Sequence, residues 1–483
     1  MKTKRFTTLL ALIFVLATVL VAFTALTACT PRGEILRILN WHGFLCDGVV
    51  ADFEVWFEES TGIPVTVQQT NKFSNNETFR DIAMFGRDFD IAVPSDYMVE
   101  RMLQHELLLP MMSEADIRSN LLEGASFEYS RNNISPFILD NLDFLTEALT
   151  PAQRAAGLTG NDFFMPYMWG TMGILFDPDR LPTAIANDRV MHDGVMTPRM
   201  FTSWEGLFAP QDPAFNNSIY MKSSERDSFA IASIWANRAQ IEAQVAVGMS
   251  RLEAVGNAMN MPTRLPGQSD SEYQTMITQF INRSVAVMHA QVPFRHRFED
   301  EEARQHLADP TSGTPVMSLQ WSGSAVFAAR LGRACPDVPW GLAGMDVNAP
   351  NLMYSVPVEG SNLWINNMVI PRYARNQLAA NMFMHFISQS ENAIRNMDAT
   401  GYTTAIYGEA LLEWFADTAN RAGNITRDVS WFFNMPEYTH VVSTCPIIFP
   451  NHAIIQRSAI MRDYGVHQSA VDTAWDRIRE GRL

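Results

Sequence analysis

The sequence is poor in cysteine, poor in basic charge and empty of catalytic signatures, and each lack excludes something. Four cysteines in 483 residues cannot build a disulfide scaffold. Basic residues number 36 against 52 acidic ones, a net charge of −16. That balance argues against nucleic acid, whose phosphates need a basic surface. It suits a cationic partner, although net charge more commonly serves solubility. There is no HExxH, no P-loop, no GxSxG and no dinucleotide fingerprint. The ten histidines do not cluster beyond His289 and His296, so neither a metal nor a cofactor is expected. No pair of carboxylates is marked as acid and base, and an enzyme is not expected. What is present is 47% hydrophobic and 18% charged residues, the balance of a folded globular protein. No internal repeat or low-complexity segment interrupts it.

One long apolar run does occur. Lys2, Lys4 and Arg5 precede an uncharged stretch from Phe6 to Ala28. The stretch is long enough to span a bilayer as an anchor, and it also has the form of a secretory signal. It ends in Leu26-Thr27-Ala28-Cys29, which resembles the lipobox of bacterial lipoproteins, where the cysteine is acylated and becomes the new N-terminus. The expectation is a signal peptide over 1–28 and a linker over 29–34 lipidated at Cys29. The remaining chain then lies outside the cytoplasmic membrane, on its periplasmic side or outer face. Each buried CH₂ of such a lipid contributes ~0.8 kcal/mol. Cleavage before Cys29 removes three basic residues and no acid, leaving 33 against 52 and a charge of −19. Cys46, Cys335 and Cys445 then remain, so at most one disulfide forms, with its connectivity open.

Beyond the leader, hydrophobic period alternates between two and about 3.6. Strands are expected over Ile35–Asn40, Ile63–Gln69 and Asp90–Val93. Helices are expected over Asp47–Ser60, Asn75–Phe85 and Asp96–His105, the last capped by Ser95. This βαβαβα order implies a mostly parallel sheet with helices on both faces. Residues 111–160 read as polar and helical. Met168–Phe176 is apolar and punctuated by glycine. Residues 184–200 and 256–272 read as loops. Ser318–Arg330 passes from strand to helix, Asn362–Pro371 is a buried strand, and Asn376–Ser388 and Ser469–Glu480 are helices, the latter with Ser469 as N-cap.

Aromatic residues stand where apolar strands give way to polar or glycine-rich turns: Trp41, Tyr97, Trp169, Trp321, Trp364 and Tyr402. In open α/β sheets, ligands bind outside the carboxyl ends of strands. Rings placed there can wall an apolar or cationic ligand, a cation over an indole being worth roughly 0.5–2 kcal/mol.

These segments together resemble the bacterial spermidine/putrescine-binding proteins, the substrate-binding components of polyamine ABC importers. The resemblance rests on Ile38-Leu39-Asn40-Trp41, on Asp52-Phe53 through Thr61-Gly62-Ile63-Pro64-Val65, and on Phe89 through Tyr97 with Val99-Glu100-Arg101-Met102. It continues through Pro166–Ile174, Ser203-Trp204-Glu205-Gly206-Leu207, Trp321-Ser322-Gly323-Ser324-Ala325, Glu359–Trp364 and Gly401-Tyr402. It implies an α/β protein of the type II periplasmic-binding-protein fold, two lobes around a ligand cleft joined by hinge strands. Lobe one would hold 35–168 and 365–410, lobe two 169–364. Residues 411–483 would pack mainly on lobe two. The crossing strands would be Met165–Ile174 and Ser361–Ile370, and a ligand would close the lobes.

The resemblance also implies a site. Trp41, Tyr97, Trp321, Trp364 and Tyr402 would line a polymethylene chain, Ser95 would add a polar contact, and Asp227 would meet an ammonium. Partners would be a small cationic ligand, an ABC permease with its ATPase, and a membrane through the lipid, with the receptor monomeric. The chain departs from the family at Ser224 and Asn366, where carboxylates are usual, and at Gly43, where some members have Glu. Charged hydrogen bonds contribute roughly 1.5–3 kcal/mol and neutral ones roughly 0.5–1.5, so a less charged or non-polyamine ligand is the alternative. Asp96 is a candidate substitute carboxylate. Glu225 reads rather as a solvated helix charge.

Overall fold

Apolar residues dominate the inner positions of β1 (Glu34–Trp41), burying Leu36, Ile38 and Leu39. The helix α1 (Asp47–Thr61) buries Val49, Phe53 and Phe57 at helical spacing. It stops at Gly62, whose φ of 75° is the left-handed conformation that glycine tolerates, with its N–H donating to Glu58. The computed structural model describes residues 33–72, 74–300, 302–309, 315–331, 352–416, 425–427, 429–433, 441–443 and 447–480. The leader, Cys29, Cys335 and Cys445 lie outside the described residues. Among the described residues Cys46 forms no disulfide. Among the described residues no helix is long and apolar enough to cross a membrane.

Six further strands and three helices carry the argument: β2 (Val65–Lys72), β3 (Ile91–Ala92), α2 (Asp96–Gln104), β4 (Phe164–Phe176), β5 (Ile219–Met221), α3 (Glu225–Ala236), β6 (Arg295–Phe298), β7 (Met317–Trp321) and α4 (Ser322–Leu331). A last long strand, β8 (Ser361–Pro371), completes the sheet. The order is β2-β1-β3-β8-β4-β7-β5-β6. Along this order the sheet is parallel in its two wings. β1 runs parallel to β2 and β3, and β5 parallel to β7 and β6. β8 and β4 pair antiparallel at the centre, and each is antiparallel to its outer neighbour. The expectation of a mostly parallel sheet is corrected there. The two long strands are the segments expected to cross between lobes, and every residue of both is buried.

Local differences have local causes. β2 begins two residues later than its alternation suggests, after Pro64, whose carbonyl takes the Glu34 N–H at 2.8 Å. The Asn75–Phe85 helix is α-helical only to Phe79 and continues as one π turn, Arg80–Met84. The segment 256–272 is a loop over 260–269, and helices enter it from both sides: Arg251–Met259 and Asp270–Ala290, the second opened by a Ser269/Glu272 capping box. The final helix is Gln468–Arg479, with His467 rather than Ser469 at its N-cap. Residues 184–200 are not a loop. They form a short helix, Thr183–Asn187, and a hairpin of Arg189–His192 with Val195–Pro198. Asp193 and Gly194 turn it with φ of 51° and 86°, the Asp-Gly signature of a tight hairpin.

The C-terminal segment contacts the long central strands of the sheet and helices on either side of them. Ser458 and Ala459 extend the sheet beside Ser361 and Asn362, and Gln468–Arg479 packs on Asp270–Ala290. Phe432 stacks on Trp169 of β4 at 5.4 Å, Arg462 pairs with Glu100 of α2 at 2.7 Å, and Arg101 of α2 pairs with Asp463. Arg457 is buried and holds this strap to the hairpin. Its guanidinium donates to the Asp193 carboxylate and to the carbonyls of Val356 and Pro357. Removing one partner of a buried ion pair strands the other charge, at about 3–5 kcal/mol. Asp193→Ala is therefore expected to lower unfolding free energy by about 3 kcal/mol in chemical denaturation; a loss within the ~0.5 kcal/mol typical of surface substitutions would refute the strap.

Candidate functional site

The carboxyl ends of the parallel strands converge on one cleft, lined by residues from both wings of the sheet and from its central strands. Trp41 ends β1 and Phe44 follows it, Ser74 and Asn75 follow β2, Ser95 and Tyr97 follow β3. From the other wing come Ser224, Glu225 and Asp227 after β5, Asp300 after β6, and Trp321 at the end of β7. β8 supplies Trp364 and Asn366, and Tyr402 and Met461 complete the lining. Nine of the ten ligand contacts expected from the sequence are thus brought together.

Asp96 is the exception. It is fully buried, and its carboxylate oxygens accept the backbone N–H groups of Tyr97 at 2.7 Å and Ile365 at 3.0 Å. It ties the N-terminus of α2 to β8 and does not line the cleft. Burial pushes it up to about 7 against those two hydrogen bonds. Trp169 also points elsewhere. It is wholly buried, with its indole N–H on the Thr404 carbonyl and its ring among Phe137, Trp431, Phe432 and Phe449.

The aromatic lining is held by close approach. Tyr402 lies 4.1 Å from Phe44 and 5.7 Å edge-on from Trp364, ring centre to ring centre. Its hydroxyl meets that of Ser324 at 2.7 Å. A Cβ at Gly323 would come within 2.1 Å of the Tyr402 ring, and one at Gly170 within 2.7 Å of the Trp364 ring. Only glycine at those positions leaves room for the rings.

Two tryptophans carry a lysine. The Lys72 ammonium sits 4.2 Å from the Trp41 ring centre, and the Lys222 ammonium 3.6 Å from that of Trp321. Both lysines are buried; Lys72 donates to the Val93 carbonyl at 2.7 Å, and Lys222 to that of Asp300 at 3.0 Å. Burial pulls Lys72 well below the ordinary lysine range. Arg226 is sandwiched between Tyr97 and Tyr464, 4.5 and 3.4 Å from their ring centres.

The polar lining differs between walls. From β5 and β6 come three carboxylates. Burial pushes Asp227 up to about 6, while hydrogen bonds from Ser224 and the Trp321 indole pull it down. Burial also raises Glu225, which accepts from Asn76 at 2.7 Å across the lobes. The reading of Glu225 as a solvated charge is corrected by that contact. Asp300 accepts from the backbone N–H of Ser223 at 3.0 Å. The wall from lobe one and β8 is neutral: Ser95 donates to Asn366 at 2.8 Å, and Asn75 donates to Ser95 and Tyr97, each at 3.0 Å. Ser95 stands at the α2 N-cap, but its hydroxyl makes no capping bond and goes to Asn366 instead.

Phe44, Ser74, Asn75, Asp300 and Met461 were not expected in the lining. The strand-end rule that singled out Trp41 also covers Asn75 after β2 and Asp300 after β6. Met461 arrives from the C-terminal strap and has no such signal. Among the described residues no group of three or more His, Cys, Asp or Glu could hold a metal.

Residues 55–423 match the family described as bacterial extracellular solute-binding protein. The chain is 21% identical over 373 residues to the spermidine/putrescine-binding periplasmic protein of Escherichia coli, covering 76% of this chain and 77% of the relative. It is 21% identical over 371 residues to the putrescine-binding periplasmic protein PotF of the same organism, 77% of each. Among solved structures, a putative spermidine/putrescine ABC transporter from Listeria monocytogenes superposes with a TM-score of 0.59 at 20% identity, covering 93% of this chain and 100% of that one. PotD from Streptococcus pneumoniae superposes at 0.55 with the same identity and coverage. The fold is the two-lobed periplasmic-binding-protein fold. With a match over most of its length, the chain belongs to the bacterial extracellular solute-binding proteins, receptors rather than enzymes.

Proposed function

We propose that this protein is the substrate-binding component of an ABC importer, tethered by a lipid on Cys29, that captures a polyamine-like amine between its lobes and delivers it to a permease. The observation that carries the reading is the lining itself. Trp41, Phe44, Trp321, Trp364 and Tyr402 surround a space that also holds Asp227, Glu225 and Asp300. Aromatic faces hold a polymethylene chain and favour a cation over them, and carboxylates meet an ammonium. The printed names of the relatives agree with an amine ligand. A second reading keeps the transport role with a less charged ligand. It is favoured by Asn366, which leaves the wall from lobe one and β8 without a carboxylate among its lining residues, and by Ser224, a neutral residue on the opposite wall where the family usually has a carboxylate.

Calorimetric titration with putrescine and spermidine is expected to give saturable heat. No heat and no thermal shift with millimolar ligand would sink the amine reading. The Asp227 carboxyl, pushed up to about 6 by burial, makes affinity depend on pH. An ammonium favours the ionised carboxylate, so binding must expel a proton once pH falls below about 6. Affinity is expected to be flat above pH ~7 and to fall by up to about tenfold per unit below pH ~6, a dependence that Asp227→Asn removes; a flat profile in the unaltered protein would exclude Asp227 as the ammonium partner. Cys29→Ser is expected to move the protein from the membrane fraction to the soluble one, and retention in the membrane would leave the uncleaved anchor as the explanation.

A further inference from the structure

The neutral wall has a fixed hydrogen-bond direction. Asn75 Oδ1 accepts the backbone N–H of Ser95 at 3.1 Å, a group that can only donate. Lys72 Nζ approaches the same oxygen at 3.5 Å. The Asn75 Nδ2 group must therefore donate, and it does so to Ser95 Oγ and to Tyr97 Oη. Having accepted, Ser95 gives its one hydroxyl proton to Asn366 Oδ1. The Asn366 oxygen is thereby occupied, and its Nδ2 is left to donate.

Tyr97 is in the same position. Its oxygen accepts from Asn75, and burial keeps its phenol protonated, so its proton is available to an acceptor. The Trp41 indole N–H, a third donor, is buried and has no partner among the described residues. Asn366, Tyr97 and Trp41 all line the cleft. This wall is a set of donors. An ammonium, itself donor-only, would meet donors there, whereas an oxygen would satisfy them. A buried donor left unpaired is destabilising.

We infer that the cleft takes an amine with unlike ends: an ammonium toward Asp227 and an oxygen acceptor, either a carbonyl or a carboxylate, toward Asn366, Tyr97 and Trp41. The inference rests on the amine reading of the same site and selects within it. Ligands with two ammonium ends are disfavoured because only one wall carries carboxylates.

Calorimetry on the purified full chain tests this with three probes built on a four-carbon skeleton: putrescine, N-acetylputrescine and 4-aminobutanoate. N-acetylputrescine, 4-aminobutanoate or both are expected to bind at least tenfold tighter than putrescine. A preference for N-acetylputrescine identifies the acceptor as an amide carbonyl, and one for 4-aminobutanoate as a carboxylate. Asn366→Asp puts an acceptor on the wall and should raise putrescine affinity while weakening the preferred probe, each by about tenfold. Tyr97→Phe, which removes one donor and little volume, should weaken the preferred probe about tenfold and by much more than it weakens putrescine. Putrescine binding as tightly as both other probes, or more tightly, overturns the inference and leaves the amine reading standing. Absence of binding by all three, and by spermidine, overturns both.

Discussion

The antiparallel pairing of β4 with β8 is the constraint on which the rest of the molecule depends. Among the described residues, these two buried strands join the parallel wings of the main sheet order. One of them, β8, also carries Trp364 and Asn366 into the cleft. The pair can lie this close because Gly170 faces Trp364 and leaves the space that the indole occupies. At Asn366 the register slips, and that residue bridges to Ser95 across the end of β3. Sheet continuity and site geometry are therefore one arrangement. A side chain that disturbed the strand pairing would also displace the ring and the amide that face the ligand.

Burial organises the charge of the site. The chain as a whole is acidic, at −16, yet the carboxylates in the cleft come from one wall alone, and desolvation opposes the ionisation of two of them. Two lysines stand against the tryptophans that flank them. An indole that already has a cation at one face attracts a second cation less strongly than an unoccupied ring, because the two charges repel through it. Specificity then falls to the hydrogen-bonding groups, and those differ in kind between the walls.

Much of this was legible in the sequence. Helices with a clear apolar stripe, such as α1 and Gln377–Ile387, and buried strands such as β8 fell close to their expected limits, because period and stop signals agreed. The strand-end position of aromatics found Trp41, Trp321 and Trp364, and the resemblance added Ser224, Asp227 and Asn366. What could not be read was which strand lay beside which. The antiparallel centre arises from pairings between segments far apart in sequence, and local alternation is blind to them. The same holds for Asp96, whose carboxylate is claimed by Ile365, and for Trp169, claimed by the core around Phe432. The hairpin at 189–198 was legible in principle from Asp193-Gly194, but the Met and Asn around it masked the alternation.

The place of β8 in the sheet also sets an order of assembly. β3 and β4 belong to the first half of the chain, but they do not touch along the main sheet order until β8 enters between them. During synthesis, the sheet of lobe one therefore stays split until residue 371 has emerged, and the strap from Arg457 to Asp463 can lock it only later. Contacts this distant make for slow folding. A nascent chain with this topology holds its N-terminal two thirds in an incomplete, still threadable form until its final segment is made.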